Sequence, residues 1–159
     1  MIVVTATAPR AGTSAMMRAL LEHYKPHSYA EAFPEYVARE KNPEGFWDIG
    51  KDKLQAEIPY EEGSVIKLWA PSFAGLDASK VKLLVVMSRS NFTEQVQSMV
   101  DCAVAEGLGV LEPNQISQIF LNQKNGIDDH FADTPKIRVD MERFRQDPDE
   151  IISYIKEIV

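Results

Sequence analysis

The sequence predicts an α/β fold: a three-layer α/β/α domain built on a mostly parallel sheet of about five strands. Three observations predict it. Short β-branched runs alternate with amphipathic helical stretches, and most are joined by tight turns. Residues 81–87, Val-Lys-Leu-Leu-Val-Val-Met, form a nearly continuous apolar run, as expected of a strand buried on both faces. The opening run Ile2-Val3-Val4 passes through a turn holding Pro9, Arg10 and Gly12 directly into a helical pattern.

The chain has 159 residues, enough for one domain spanning 1–159 with a real core. Its 45% hydrophobic and 26% charged residues are ordinary for a globular protein. A net charge of −7 argues against a surface for duplex nucleic acid. The single cysteine, Cys102, excludes an intrachain disulfide and a cysteine zinc cage, and reads as a small core residue. No apolar run approaches the ~20 residues of a membrane span. Met1 leads directly into the first strand, so no signal peptide is expected, and the cytoplasm is the expected location.

Taken in order, residues 15–24 carry Met16, Met17, Leu20, Leu21 and Tyr24 on one helical face, and Pro26 should stop that helix. His23 and His27 flank the stop and read as surface or capped histidines. Residues 28–30 suggest a short second strand with Glu31 at its end. Residues 32–63, rich in Pro and Gly, read as an excursion over the ligand face, with short helices at 34–40 and 51–56. Residues 64–69 form a strand ended by Pro71. After the strand at 81–87, Asn91 should cap a helix with Glu94 as its capping-box partner. That helix has a predicted buried stripe of Phe92, Val96, Met99, Val100 and Ala103, with Ser98 on the opposite side. Gly107 and Gly109 end it. Pro113 starts another helix, which carries Ile116, Ile119 and Phe120 inward and closes at Asn125-Gly126. Residues 127–135 read as an acidic loop, and 136–139 as a last short strand. Asp147-Pro148-Asp149-Glu150 opens a final helix with Ile151, Ile152, Ile155 and Ile158 on its apolar face.

A strand that turns straight into a helix aims several backbone N–H groups, and the positive end of the helix dipole, at one point. Residues 7–14 therefore read as an anion site, most naturally for phosphate. Ligands in such sheets bind beyond the carboxyl ends of the strands. Arg10, Glu31, Lys67 with Trp69, and Arg89 all fall at or near such ends. A nucleoside-triphosphate P-loop would need glycine at Thr7 and lysine at Thr13, and only Ser14 fits. No strand ends in an obvious magnesium-binding Asp. An ordinary magnesium-dependent kinase or ATPase is thus disfavoured.

In place of that lysine, the cation is Arg10, inside the turn. The stretch Pro9-Arg10-Ala11-Gly12-Thr13-Ser14 resembles the 5′-phosphosulfate loop of sulfotransferases that use 3′-phosphoadenosine 5′-phosphosulfate (PAPS), with Ala11 where serine is usual. Asn42-Pro43-Glu44-Gly45-Phe46-Trp47-Asp48 resembles a stretch common in bacterial members. Ile66-Lys67-Leu68-Trp69-Ala70-Pro71 is similar to their Lys-Thr-His-x-Pro strand end. Arg89 followed by a helix bearing Ser98 looks like their 3′-phosphate site.

The resemblance implies a P-loop nucleoside-triphosphate-hydrolase-like fold and transfer of a sulfuryl group from PAPS, as co-substrate, to a small-molecule or glycan hydroxyl or amine. It implies no metal, nucleic acid or membrane. The backbone of Ala11, Gly12, Thr13 and Ser14 would hold the 5′-phosphate, and Arg10 would stabilise charge on the departing bridging oxygen. Lys67 would neutralise the sulfuryl group, while Arg89 and Ser98 would grip the 3′-phosphate. Ser98 stands nine positions after Arg89 where the family has eight, so Gln97 is the other candidate for that place. Trp69 occupies the position of the histidine base of cytosolic members, which leaves Glu31 as candidate base. Asp128, Asp129, His130 and Asp133 read as a solvated acidic stretch. Two other readings stand beside transfer: a divergent phosphotransferase using ATP, and a nucleotide-binding module without catalysis.

Overall fold

A computed structural model describes residues 1–28, 58–105 and 107–159. Five strands form one all-parallel sheet: β1 (Ile2–Ala6), β2 (Lys25–Pro26), β3 (Ser64–Lys67), β4 (Leu83–Ser88) and β5 (Lys136–Asp140). Their order across the sheet is β2-β3-β1-β4-β5. β1 is central and pairs in parallel with β3 (Val4 opposite Lys67) and with β4 (Val4 opposite Val85).

Alternation along β1 splits the core into two layers, as period-2 side-chain placement requires. Ile2, Val4 and Ala6 join Met16, Met17 and Leu20 of α1 (Thr13–Leu21) on one face. The same layer holds Phe144 of α4 (Met141–Gln146) and Ile151, Ile152 and Ile155 of α5 (Pro148–Ile158). Met1 and Val3 join Phe73, Ile127 and Phe131 on the other face, where α3 (Pro113–His130) packs. Helices therefore cover both faces of the sheet, in the three layers expected.

Several elements differ from the sequence reading, each for a physical reason. A strand not expected lies at Lys25–Pro26, and α1 ends at Leu21; residues 29 and 30 of the strand expected at 28–30 lie outside the described residues. Pro26 fits because β2 is an edge strand: Lys25 and His27 donate to Gly63 and Val65, and the missing N–H of Pro26 falls between them, facing away. α3 does not close at Asn125-Gly126 but runs to His130, through the start of the expected acidic loop. Gly126 serves packing there, since a Cβ would stand 2.7 Å from the Ala70 Cβ.

Helix α2 (Phe92–Ala105) buries Gln95, Met99 and Ala103, while Phe92 is 56% exposed. Its inward line is thus rotated from the predicted stripe, and half-buried Ser98 sits one turn beyond Gln95 rather than opposite the core. Asn91 accepts from the Glu94 N–H as predicted, but the Glu94 carboxylate turns to Arg89 instead of back to the cap. The short helix α4 was not legible in the sequence; Asp140 caps it by accepting from the N–H groups of Glu142 and Arg143. The Asp147 cap on α5 forms as expected. The excursion helices at 34–40 and 51–56 lie outside the described residues. Among those described, no helix is long and apolar enough to cross a membrane.

Candidate functional site

The loop between β1 and α1 leaves the carboxyl end of the central strand. Thr7 extends the ladder by donating to Met87, after which the chain turns sharply. Two residues of the turn have positive φ: Arg10 at 66° and Gly12 at 88°. For a side chain such as arginine, the left-handed region costs roughly 1–2 kcal/mol. Gly12 is required twice over. Its conformation disfavours any Cβ, and a Cβ would lie 2.0 Å from the Met141 Sδ. Gly12 also forms the N-cap of α1 and supplies no side-chain acceptor to the first turn. The leading N–H groups of α1 are consequently available to an anion.

Helix α2 holds this loop by two side chains three residues apart. Buried Gln95 donates from Nε2 to the carbonyls of Pro9 (2.9 Å) and Ala8 (3.4 Å). One turn on, Ser98 Oγ accepts from Arg10 Nε at 2.9 Å. Arg10 is exposed and has no ion pair with any described carboxylate. Its other guanidinium N–H groups meet no acceptor among the described residues, in a loop that leads into the α1 N-terminus.

Arg89 and Ser98, both expected at the 3′-phosphate, have different protein partners. Arg89 is held by two carboxylates: Nε donates to Glu142 at 3.0 Å, and the far nitrogen pairs with Glu94. Ser90 adds donors from its N–H and hydroxyl to the same Glu142. Burial pushes the Glu142 carboxyl up, but the Arg89 and Ser90 hydrogen bonds outweigh it and bring the pKa down from 4.5 to about 2. Gln97, the other candidate for the 3′-phosphate, is occupied along its own helix by Asp101 at 2.8 Å. Of the two, Ser98 is the one at the loop.

Lys67 is only 2% exposed at the end of β3. Strand alternation puts it on the same side of the sheet as Val65 and Trp69, which is the α1 side. The turn that follows is tied to the centre of the sheet by a second buried glutamine. Gln123 donates to Thr5 Oγ at 2.8 Å and accepts from the Ala70 N–H at 3.0 Å. Among the acidic candidates, Asp128 pairs with Lys124, and His130 donates to the Leu76 carbonyl. His27 is buried and donates to the Pro59 carbonyl at 2.8 Å, with Glu61 3.9 Å away. Glu31 and the stretch 42–48 with Phe46 and Trp47 lie outside the described residues.

Sequence reasoning missed Gln95 and Gln123. Their only local signal was a glutamine at helical spacing from buried apolar neighbours: Gln95 four residues before Met99, Gln123 four before Ile127. No family model matches the chain, and no curated protein matches it.

Proposed function

We propose that the chain is a PAPS-dependent sulfotransferase-like protein acting on a small-molecule or glycan hydroxyl or amine. The observation that carries this reading is Arg10, a cation with no carboxylate partner among the described residues, anchored to Ser98 in the loop that leads into the uncapped first turn of α1. An energy-coupling P-loop would place its lysine at Thr13, which here is buried. The site instead suits a donor whose bridging oxygen meets a guanidinium.

In the proposed reaction the acceptor oxygen or nitrogen attacks sulfur. The sulfur–oxygen bond to the 5′-phosphate breaks, and its electron pair stays on the bridging oxygen of the departing adenosine 3′,5′-bisphosphate. Arg10 and the N–H groups of Ala11, Gly12, Thr13 and Ser14 stabilise that charge. Lys67 faces the sulfuryl group. The acceptor's proton passes to Glu31 as base. For the 3′-phosphate, Glu142 keeps Arg89 oriented while the more exposed Glu94 gives way, so that phosphate replaces a carboxylate on the same guanidinium.

The double carboxylate hold on Arg89 favours one other reading, in which the nucleotide has no 3′-phosphate and the chain is a divergent phosphotransferase using ATP. Calorimetric titration separates the two. The sulfotransferase reading expects adenosine 3′,5′-bisphosphate to bind without metal and more tightly than ATP with magnesium. The reverse order overturns it. Bisphosphate binding without sulfate transfer to any acceptor would leave a non-catalytic nucleotide-binding module.

A further inference from the structure

We propose that Gln95 is the positioning residue of the loop, the group that holds it in its anion-binding shape. The role of that shape in binding rests on the function proposed above. Gln95 is 1% exposed on α2, in a line of otherwise apolar inward residues with Met99 and Ala103. A carboxamide in such a place is costly unless hydrogen-bonded. Its Nε2 is directed at two consecutive carbonyls, Ala8 and Pro9, immediately before the strained Arg10. Consecutive carbonyls drawn toward one donor orient the peptide that leads into Arg10. That peptide must be held if Arg10 is to remain in the left-handed region at φ 66°. Ser98, three residues along the same face, then receives the guanidinium at 2.9 Å. One helix therefore sets both the backbone and the side chain of the loop's only arginine.

The arrangement also connects the two ends of the candidate site. α2 begins just after Arg89, and its Glu94 pairs with that arginine. A shift of α2 that accompanies exchange of Glu94 for a phosphate moves Gln95 and Ser98 with it. The loop and the second anion position are then not independent.

The test uses the full chain and the variants Gln95→Met and Gln95→Glu. Methionine fills the same volume without a donor, and glutamate presents acceptors to two carbonyls. Backbone ¹⁵N relaxation reads the order of Arg10, Ala11 and Gly12 without any ligand. The expected ranking of loop order is wild type, then Met, then Glu, with β1 and α2 unchanged. Affinity for adenosine 3′,5′-bisphosphate should fall about tenfold or more in the Met variant. An equally ordered loop in all three overturns the proposal, because a residue that merely fills space would leave the loop alone. If the Gln95 variants do not fold, Ser98→Ala is the second probe. It should loosen the Arg10 side chain, leave the Ala8–Pro9 backbone ordered and weaken binding less than about tenfold. A backbone disordered by Ser98→Ala overturns the assignment to Gln95. A wild-type chain with an ordered, Gln95-dependent loop and no bisphosphate binding supports the positioning role and overturns the function proposed for the loop.

Discussion

The Nε of Arg10 donates to the Oγ of Ser98 across 2.9 Å, joining the loop after the first strand to the helix after the fourth. The two residues are 88 positions apart. They meet because β1 and β4 are neighbours in the sheet, which sets both carboxyl ends side by side. The sequence suggested each of them as an anion ligand, but it assigned them to different phosphates.

Arg10→Gly and Arg10→Ala separate binding from backbone conformation. Both remove the guanidinium, and only alanine keeps a Cβ at φ 66°. Both should lose roughly ten- to hundredfold in affinity for adenosine 3′,5′-bisphosphate, the range for a lost charge-assisted hydrogen bond. In urea denaturation the alanine variant should be about 1 kcal/mol less stable than the glycine variant. Undiminished binding in the glycine variant would remove Arg10 from the site.

Gly12→Ala should destabilise the fold by about 2 kcal/mol or more. It places a Cβ in the left-handed region and against the Met141 Sδ. Adding Met141→Ala should recover the steric part only, leaving the conformational part in place. Thermal melts of the single and double variants measure the split. Full recovery in the double variant would mean that φ 88° costs nothing here.

The contrast between Gly12 and Gln95 shows what the sequence could carry. A glycine between a β-branched run and a helical pattern announces a tight turn, and that much of the site was legible. So were the buried strand 83–88 and the capped start of α5, because each signal is local. The strand order was not, and everything that depends on it stayed hidden. Gln95 reads as a polar helix residue until β1 and β4 are adjacent and the Ala8 and Pro9 carbonyls lie beneath it. Gly126 reads as a helix stop until Ala70 is known to press on it. Nothing around Arg89 in the sequence tells that Glu142, carried in just after β5, holds its guanidinium.

Glu142 gives the stability a defined acid limb. Its pKa is depressed from 4.5 to about 2, because its bonds from Arg89 and Ser90 outweigh its burial. A depressed carboxyl contributes stability that is fully present above its unfolded value and lost as pH falls through the folded one. The loss should therefore develop between pH 5 and 2 and amount to roughly 2–3 kcal/mol. Urea denaturation of wild type and Glu142→Gln across that range should converge at the acid end. Parallel curves would show that this carboxylate is not responsible.

Glu94→Gln tests whether Arg89 can exchange a carboxylate for a phosphate. Glu94 is 60% exposed while Glu142 is 29% exposed, so Glu94 is the partner more easily displaced. An exposed ion pair of this kind holds its members by about 0–1 kcal/mol. Removing its charge should improve affinity for adenosine 3′,5′-bisphosphate by up to about fivefold, more at low salt than at high. Affinity for adenosine 5′-monophosphate, which carries no 3′-phosphate, should stay the same and serves as the internal control. Glu142→Gln should do the opposite for the bisphosphate, because Arg89 then loses the partner that orients it. If Glu94→Gln improves both nucleotides equally, the gain is general charge relief in a −7 chain, and Arg89 has no part in reading the ribose phosphate.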